Sequence, residues 1–234
     1  MIRAIAILAV CAYGQKFEVA SVKPSKAESN ASSGIQTGHG RLAGRNVTLK
    51  RCIIGAYGVG PHQILGGPYW LDSDRFEILA KADEPIDDDT ALMVMLRDVL
   101  ADRFKLVIHR ETKTIPALVM ELAKNGPKFE KSSGGEAVTN TSGNQYGVSI
   151  DARNTDMDAF AAILARSMDL PVVNRTGLQG VFNIKLQWMS ENAKRTEGPS
   201  IFTAIQEQLG LRLRSEKTPV EILVIDHAEK PSEN

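Results

Sequence analysis

RNVTLKRCIIGAYGVGPHQILGGPYWLDSDRFEILAK, residues Arg45 to Lys81, is the stretch from which the architecture is read. It opens on an Arg-Asn pair. Leu49, Cys52, Ile53, Ala56 and Tyr57 then fall at i, i+3, i+4, i+7 and i+8, one stripe of a helix. Thr48 stands where an N-cap is needed and Gly58 where a helix stops. Gly60 to Pro68 reads as an irregular loop. Beyond Trp70-Leu71, Phe76, Ile78 and Ala80 alternate with Glu77 and Lys81, the period of a half-exposed strand. The same order returns from Arg153 to Gln187: Asn46 aligns with Asn154, Leu71 with Leu178, and Phe76-Glu77-Ile78 with Phe182-Asn183-Ile184.

Upstream, Phe17 to Lys23 alternates as a strand that Pro24 stops, and Ser25 to Gly40 is a Ser/Gly-rich surface loop. Downstream, an acidic turn at Asp83 to Asp89 precedes a helical stripe of Leu92, Met95, Leu96, Val99 and Leu100. Its three adjacent aspartates lack the alternating donors, glycine and distal Glu of a calcium loop. Phe104 to His109 and Ile115 to Leu122 read as a hairpin joined through ETKTIP, and Asn125 to Asn144 as a polar linker. The second half carries a strand from Tyr146 to Ala152, then a helix started by Thr155 with Asp158 and buried through Met157, Phe160, Ala161, Leu164 and Met168. A strand from Phe182 to Trp188 and a helix buried through Ile201, Phe202, Ile205 and Leu209 come next. Leu211 to Glu216 and Val220 to His227 close the chain as a hairpin joined by EKTP.

Each half thus reads strand, helix, strand, helix, strand, strand. The expected fold is α+β, an α/β two-layer sandwich built from a duplicated βαβαββ unit with mixed sheets and helices on one face. The units span residues 15–124 and 146–234, with a linker at 125–145.

Met1 to Gly14 has a positive residue at Arg3, an apolar run from Ala4 to Val10, and small residues at Ala12-Tyr13-Gly14. That order is a signal peptide's, so the chain is expected to be exported, periplasmic or extracellular; a buried N-terminal strand or helix is the alternative. The run is too short to span a membrane. Cys11 resembles a lipid-anchored cysteine only faintly, because Val10 is a poor neighbour for that processing. With Cys11 removed, Cys52 has no disulfide partner, and its place in a helical stripe reads as a small buried hydrophobe rather than a reactive thiol.

The 28 basic and 28 acidic residues balance, which gives no basic face for nucleic acid. His39, His62, His109 and His227 have no metal-binding spacing, and no nucleophile-elbow or phosphate-loop motif occurs, so no catalytic, cofactor or metal residue is assigned. Asp226 and His227 are strand neighbours and point to opposite faces, which rules them out as a dyad with each other. The candidate ligand or partner surface is Tyr57, His62, Trp70, Asp72, Asp74 and Arg75, aromatic and charged side chains around a Gly-rich loop. The alternative is that Tyr57 and Trp70 plug the space between helix and sheet.

The unit's order, above all SIFTAIQEQLGLRLRSEKTPVEILVID at Ser200 to Asp226, resembles the short N-terminal domains of secretins and TonB-dependent receptors. As a whole the chain is similar to an exported domain family of unknown function abundant in acidobacteria and other soil bacteria. FEVASVKP at Phe17, NVTLKRCIIGAYGV at Asn46, GGPYWLDSDRFEILAKA at Gly66, LADRFKLVIHRETK at Leu100 and NRTGLQGVFNIKLQW at Asn174 carry that likeness. Relatives sometimes follow a membrane metallopeptidase of the beta-lactam-sensor type, whose peptidase motif this sequence lacks. The expected function is an exported, non-catalytic binding or assembly module for a protein, peptide or glycan. The alternatives are an extracytoplasmic sensor working with a membrane peptidase, and a hydrolase gathering two or more of His62, His109, His227, Asp72 and Asp74 in one pocket.

Overall fold

The structure is a computed structural model that describes residues 16–28, 31–144, 147–189 and 198–232. The signal-peptide reading of Met1 to Gly14, Tyr146 and most of the polar stretch from Ser190 to Gly198 lie outside the described residues. The chain enters with β1 (Phe17–Pro24), then β2 (Gly34–Gly38) and β3 (Arg41–Thr48), which runs straight into α1 (Leu49–Tyr57). A 3₁₀ turn at Pro61–Gln63 leads to β4 (Ile64–Gly66), and a second at Tyr69–Asp72 leads to β5 (Arg75–Ala82). Then come α2 (Asp89–Phe104), β6 (Val107–Leu122), β7 (Glu130–Lys131), β8 (Val138–Asn144) and β9 (Gly147–Thr155). The remainder is α3 (Met157–Ala165), β10 (Val172–Asn174), β11 (Phe182–Trp188), α4 (Ile201–Leu209) and β12 (Leu211–His227).

Local chemistry sets the helix ends. Thr48 Oγ1 accepts from the Arg51 N–H at 3.2 Å, and Gly58 closes α1 in the left-handed region. Asp88 caps α2, and Asp156, rather than the expected Thr155, caps α3 through the Ala159 N–H at 2.8 Å. In α4, Ala204, Ile205 and Leu209 face inward, whereas Phe202, expected in the core, is 50% exposed.

These elements make an α+β fold of three four-stranded sheets, ordered β1-β5-β3-β2, β10-β6-β12-β4 and β7-β11-β9-β8. The expected hairpins do not form. Residues 107–122 are one strand and residues 211–227 another, and the two pair antiparallel over nearly their whole lengths. The reason lies in the prolines. Pro116 and Pro219 look like turn residues, but β10 reaches only Leu118 to Met120 and β4 only Leu223 to Ile225. Each proline therefore sits where its strand has an open side, the place where a missing N–H is tolerated. The other ends differ from expectation too: Phe104 ends α2, and Lys105, in the left-handed region, turns the chain into β6. The stretch read as a linker supplies β7 and β8, and the loop from Ser25 to Gly40 supplies β2.

The central sheet ties the halves together. Leu223 and Ile225 of β12 join the first core with Leu49, Ile53, Phe76, Ile78, Leu100 and Phe104. Leu118 and Met120 of β6 join the second with Phe160, Leu164, Ile184, Leu186, Ile205 and Leu209. Each core takes side chains from the other half's long strand.

The Arg-Asn pairs have a specific structural job. Asn46 and Asn154 both adopt positive φ, 50° and 51°. Register shifts interrupt the β3–β5 and β9–β11 ladders there. The Asn46 N–H donates to Glu77 Oε1 at 2.9 Å, and the Asn154 N–H to Asn183 Oδ1 at 3.3 Å. The side-chain amides reach back to Ala31 O at 3.0 Å and Glu136 O at 2.7 Å. Each asparagine is a bulge residue whose short polar side chain supports the left-handed turn into the helix.

Candidate functional site

The six residues singled out in the sequence do not converge on a cavity. Tyr57 is half-buried beneath Arg97, whose guanidinium lies 4.7 Å over its ring, and burial raises the phenol's pKa against that cation's opposing pull. His62 is exposed in the first 3₁₀ turn. Trp70 is corrected from a surface anchor to a core residue: it is 5% exposed, edge-on to Phe76 at 6.2 Å and stacked near Phe104 at 6.4 Å. The neighbouring Tyr69, 91% exposed, is the aromatic that faces solvent. Asp72 pairs with Lys50 at 2.7 Å and Asp74 with Lys230 at 2.7 Å, and the Lys230 hydrogen bond holds the Asp74 carboxyl below its usual range. Arg75 donates to the Asn46 carbonyl at 2.9 Å. The Gly-rich loop exists for a close approach: Gly66 has φ 74°, and a Cβ there would meet Ile225 O at 2.9 Å.

The hydrolase side chains are likewise dispersed among separate partners. His109 Nδ1 lies 2.8 Å from Asp226 Oδ2 across the β6–β12 ladder, and His227 Nε2 lies 2.9 Å from Glu229 Oε1. Both pairs are exposed, while Asp72 and Asp74 are held by the lysines. Among the described residues no three His, Cys, Asp or Glu side chains group as metal ligands. Nor is any described helix long and apolar enough to cross a membrane.

Cys52 is fully buried, and burial pushes its thiol from 9.0 up to about 12. A folded state that holds this proton longer gains stability in full below pH 9 and loses it as pH rises towards 12, by up to about 1.4 kcal/mol per pH unit. Urea stability measured from pH 8.5 to 10.5 should therefore fall less steeply in Cys52→Ala than in the parent. Iodoacetamide at pH 8 should modify Cys52 only after unfolding; labelling of the folded chain at a free-thiol rate would contradict the burial.

A cleft that the sequence reading missed opens on the third sheet. Its volume is about 520 Å³, and its walls include Lys128, Phe129 and Glu130 leading into β7, Asp151 and Arg153 on β9, Asn183 and Lys185 on β11, and Gln208 of α4. The first and third sheets follow the same order but end differently. β1 covers β5 from Phe17 opposite Ala82 to Pro24 opposite Phe76. β7 covers β11 only at Lys131 opposite Phe182 and Glu130 opposite Asn183. Upstream the chain turns aside, where the Lys128 N–H donates to Leu209 O at 2.9 Å. Among the described residues, the edge of β11 beyond Asn183 is thus left without a strand.

Gln208 occupies part of it. Its side-chain carbonyl accepts from the Gln187 N–H at 2.9 Å, and its NH₂ donates to Gln187 O at 2.7 Å. One amide thereby satisfies both backbone groups that a neighbouring strand would take. Facing residues in an antiparallel ladder alternate between inward and outward bonding, so Lys185 presents its own N–H and C=O to the same open side. Asp151 Oδ1 lies 3.4 Å from Arg153 Nε and its Oδ2 lies 3.8 Å from Lys185 Nζ, two exposed cations sharing one carboxylate. Phe129 packs edge-on to Phe182 at 5.4 Å and forms the apolar wall. The sequence signal was the shortness of the extended run around Lys128 to Lys131 compared with Phe17 to Pro24, hidden inside a segment whose composition reads as a linker.

Fold and site together define an α+β protein with a shared central sheet and an open cleft at one outer sheet edge. The chain belongs to the family described as Protein of unknown function (DUF3738), whose sequence model matches residues 50–228. Comparison with curated proteins and with solved structures finds no match.

Proposed function

We propose that this chain is an exported, non-catalytic binding or assembly module that recognises a protein, peptide or glycan outside the cytoplasm. The observation that carries the reading is the cleft: a concavity of about 520 Å³ walled by charged and amide side chains. The charge, apolar run and small residues of Met1 to Gly14 support export. Duplication of one ancestral unit belongs to the same reading, supported by the matching sheet orders and the paired bulge asparagines. The sensor alternative adds a separately encoded membrane peptidase as partner.

Two measurements test it. Expressed in a bacterial host, the chain should leave the cytoplasm and lose its first 14 residues by intact mass. Arg3→Glu should impair that export, and retention of the parent chain at full length would refute it. The purified 15–234 chain should then select ligands from random-peptide and glycan libraries. Arg153→Ala should weaken those ligands about tenfold, a loss of about 1.4 kcal/mol. Libraries that yield nothing sensitive to the cleft would remove the binding reading.

A further inference from the structure

We infer that the cleft is a strand-acceptor site, and that its occupant is an extended segment of a partner protein carrying a carboxylate, added antiparallel to β11. The inference rests on the binding-module reading and deepens it. Its basis is backbone chemistry. Among the described residues, β11 from Ile184 to Trp188 has β9 on one side and no strand on the other, where β5 has β1 from Phe76 to Ala82. Five residues at about 3.3 Å each give an edge of about 16 Å, room for a short strand. Lys185 offers one outward N–H and C=O pair, and Gln187 offers a second as soon as the Gln208 side chain swings away. Main-chain bonds of this kind supply affinity with little dependence on sequence, and the flanking side chains supply selection.

The flanking side chains select charge. On the exposed face of the sheet, Asp151 is the one carboxylate that Arg153 and Lys185 pair with among the described residues. A carboxylate among the alternate residues that share the exposed face of an added strand would face that surplus cation. The residues between point towards Phe129 and Leu209, which favours apolar side chains there. An extended segment with acidic residues on one face and β-branched apolar residues on the other satisfies both walls.

The test uses the 15–234 chain, ¹⁵N-labelled, with the synthetic octapeptide TVEVTVEV as probe. Saturation with the probe should slow amide exchange at Lys185 and Gln187, and the lysine counterpart TVKVTVKV should bind about tenfold more weakly. The acidic peptide N-methylated at alternate residues should lose binding, because it cannot complete the ladder. Lys185→Pro removes the outward donor, and the ammonium with it, while leaving the β9 side intact and should weaken the probe at least about tenfold. Gln208→Ala removes the placeholder and should strengthen the probe, an outcome that a merely structural glutamine would not produce. Absence of probe binding, or binding that N-methylation leaves unchanged, would overturn the strand-acceptor inference. So would protection of Lys185 without peptide that grows with protein concentration, which would make a second copy the occupant. Library ligands that bind but leave both amides exchanging freely would sink this inference alone and leave the binding module standing.

Discussion

Gly210→Ala should destabilise the chain by about 3–5 kcal/mol, read as a large fall in the urea midpoint. Gly210 closes α4 at φ 64°, and its N–H donates to Gln206 O. Two costs add. An alanine in the left-handed region costs about 1–2 kcal/mol. The new Cβ also lands on the carbonyl oxygen of Gly126 and lies 3.0 Å from its carbon, a backbone neighbour that cannot rotate away. Relief requires moving the segment that Leu209 and Gly210 hold through the Lys128 and Ala123 N–H groups. Domains of this kind are stable by about 5–15 kcal/mol, so the loss is a large share of the total. Gly58→Ala is the control: the same conformation at φ 66°, with nothing within 4 Å of the new Cβ. It should show only the conformational cost. Equal losses at the two positions would mean that the approach of Gly126 is not what requires glycine. Since that segment carries Lys128 and Phe129, Gly210→Ala should also weaken any ligand of the cleft.

Phe104→Ala should cost a similar amount, about 3–5 kcal/mol. Phe104 is among the largest side chains fully removed from solvent, and it joins Phe76 at 5.0 Å edge-to-face and Trp70 at 6.4 Å. It ends α2, and its carbonyl accepts from the Glu229 N–H at 2.7 Å, which pins the tail to the first core. Truncation leaves a hole between a helix end and two rings that are themselves buried in the first core, so little of it can collapse. Trp70 fluorescence should shift along with the lowered midpoint. Phe202→Ala, on an exposed helix face, should change stability by no more than about 0.5 kcal/mol. A Phe104→Ala midpoint close to the parent's would show that the three-ring cluster is not the centre of the first core.

Periodicity alone was enough for the local elements. The stripe of Leu49, Cys52, Ile53 and Ala56, the caps at Thr48 and Gly58, and the alternation from Phe182 to Trp188 are all present as read. Each depends on residues within one or two turns of each other, which is the range over which a pattern in sequence is also a pattern in space. The likeness of the two Arg-Asn segments also marked a real feature, though its content was geometric: a bulge residue at positive φ.

What the candidate site would be was not legible in the same way. Tyr57 and Trp70 could be read either as a binding surface or as plugs between helix and sheet, because their exposure depends on Phe104 and Arg97, some 30 to 40 residues downstream; for Trp70 the packing reading is the one the fold realises. Pro116 and Pro219 looked like turns because a single strand cannot announce which of its sides will stay open.

The amino-acid sequence by itself determined the helices, the strands beside the two Arg-Asn segments, the family, and the buried character of Cys52. Tertiary structure alone decided that β6 and β12 pair with each other, that each core borrows from the other half, and that β7 is too short to finish its sheet. The physical reason is that alternation commits a stretch to being extended, while its partner is chosen by hydrogen-bonding groups a hundred residues away.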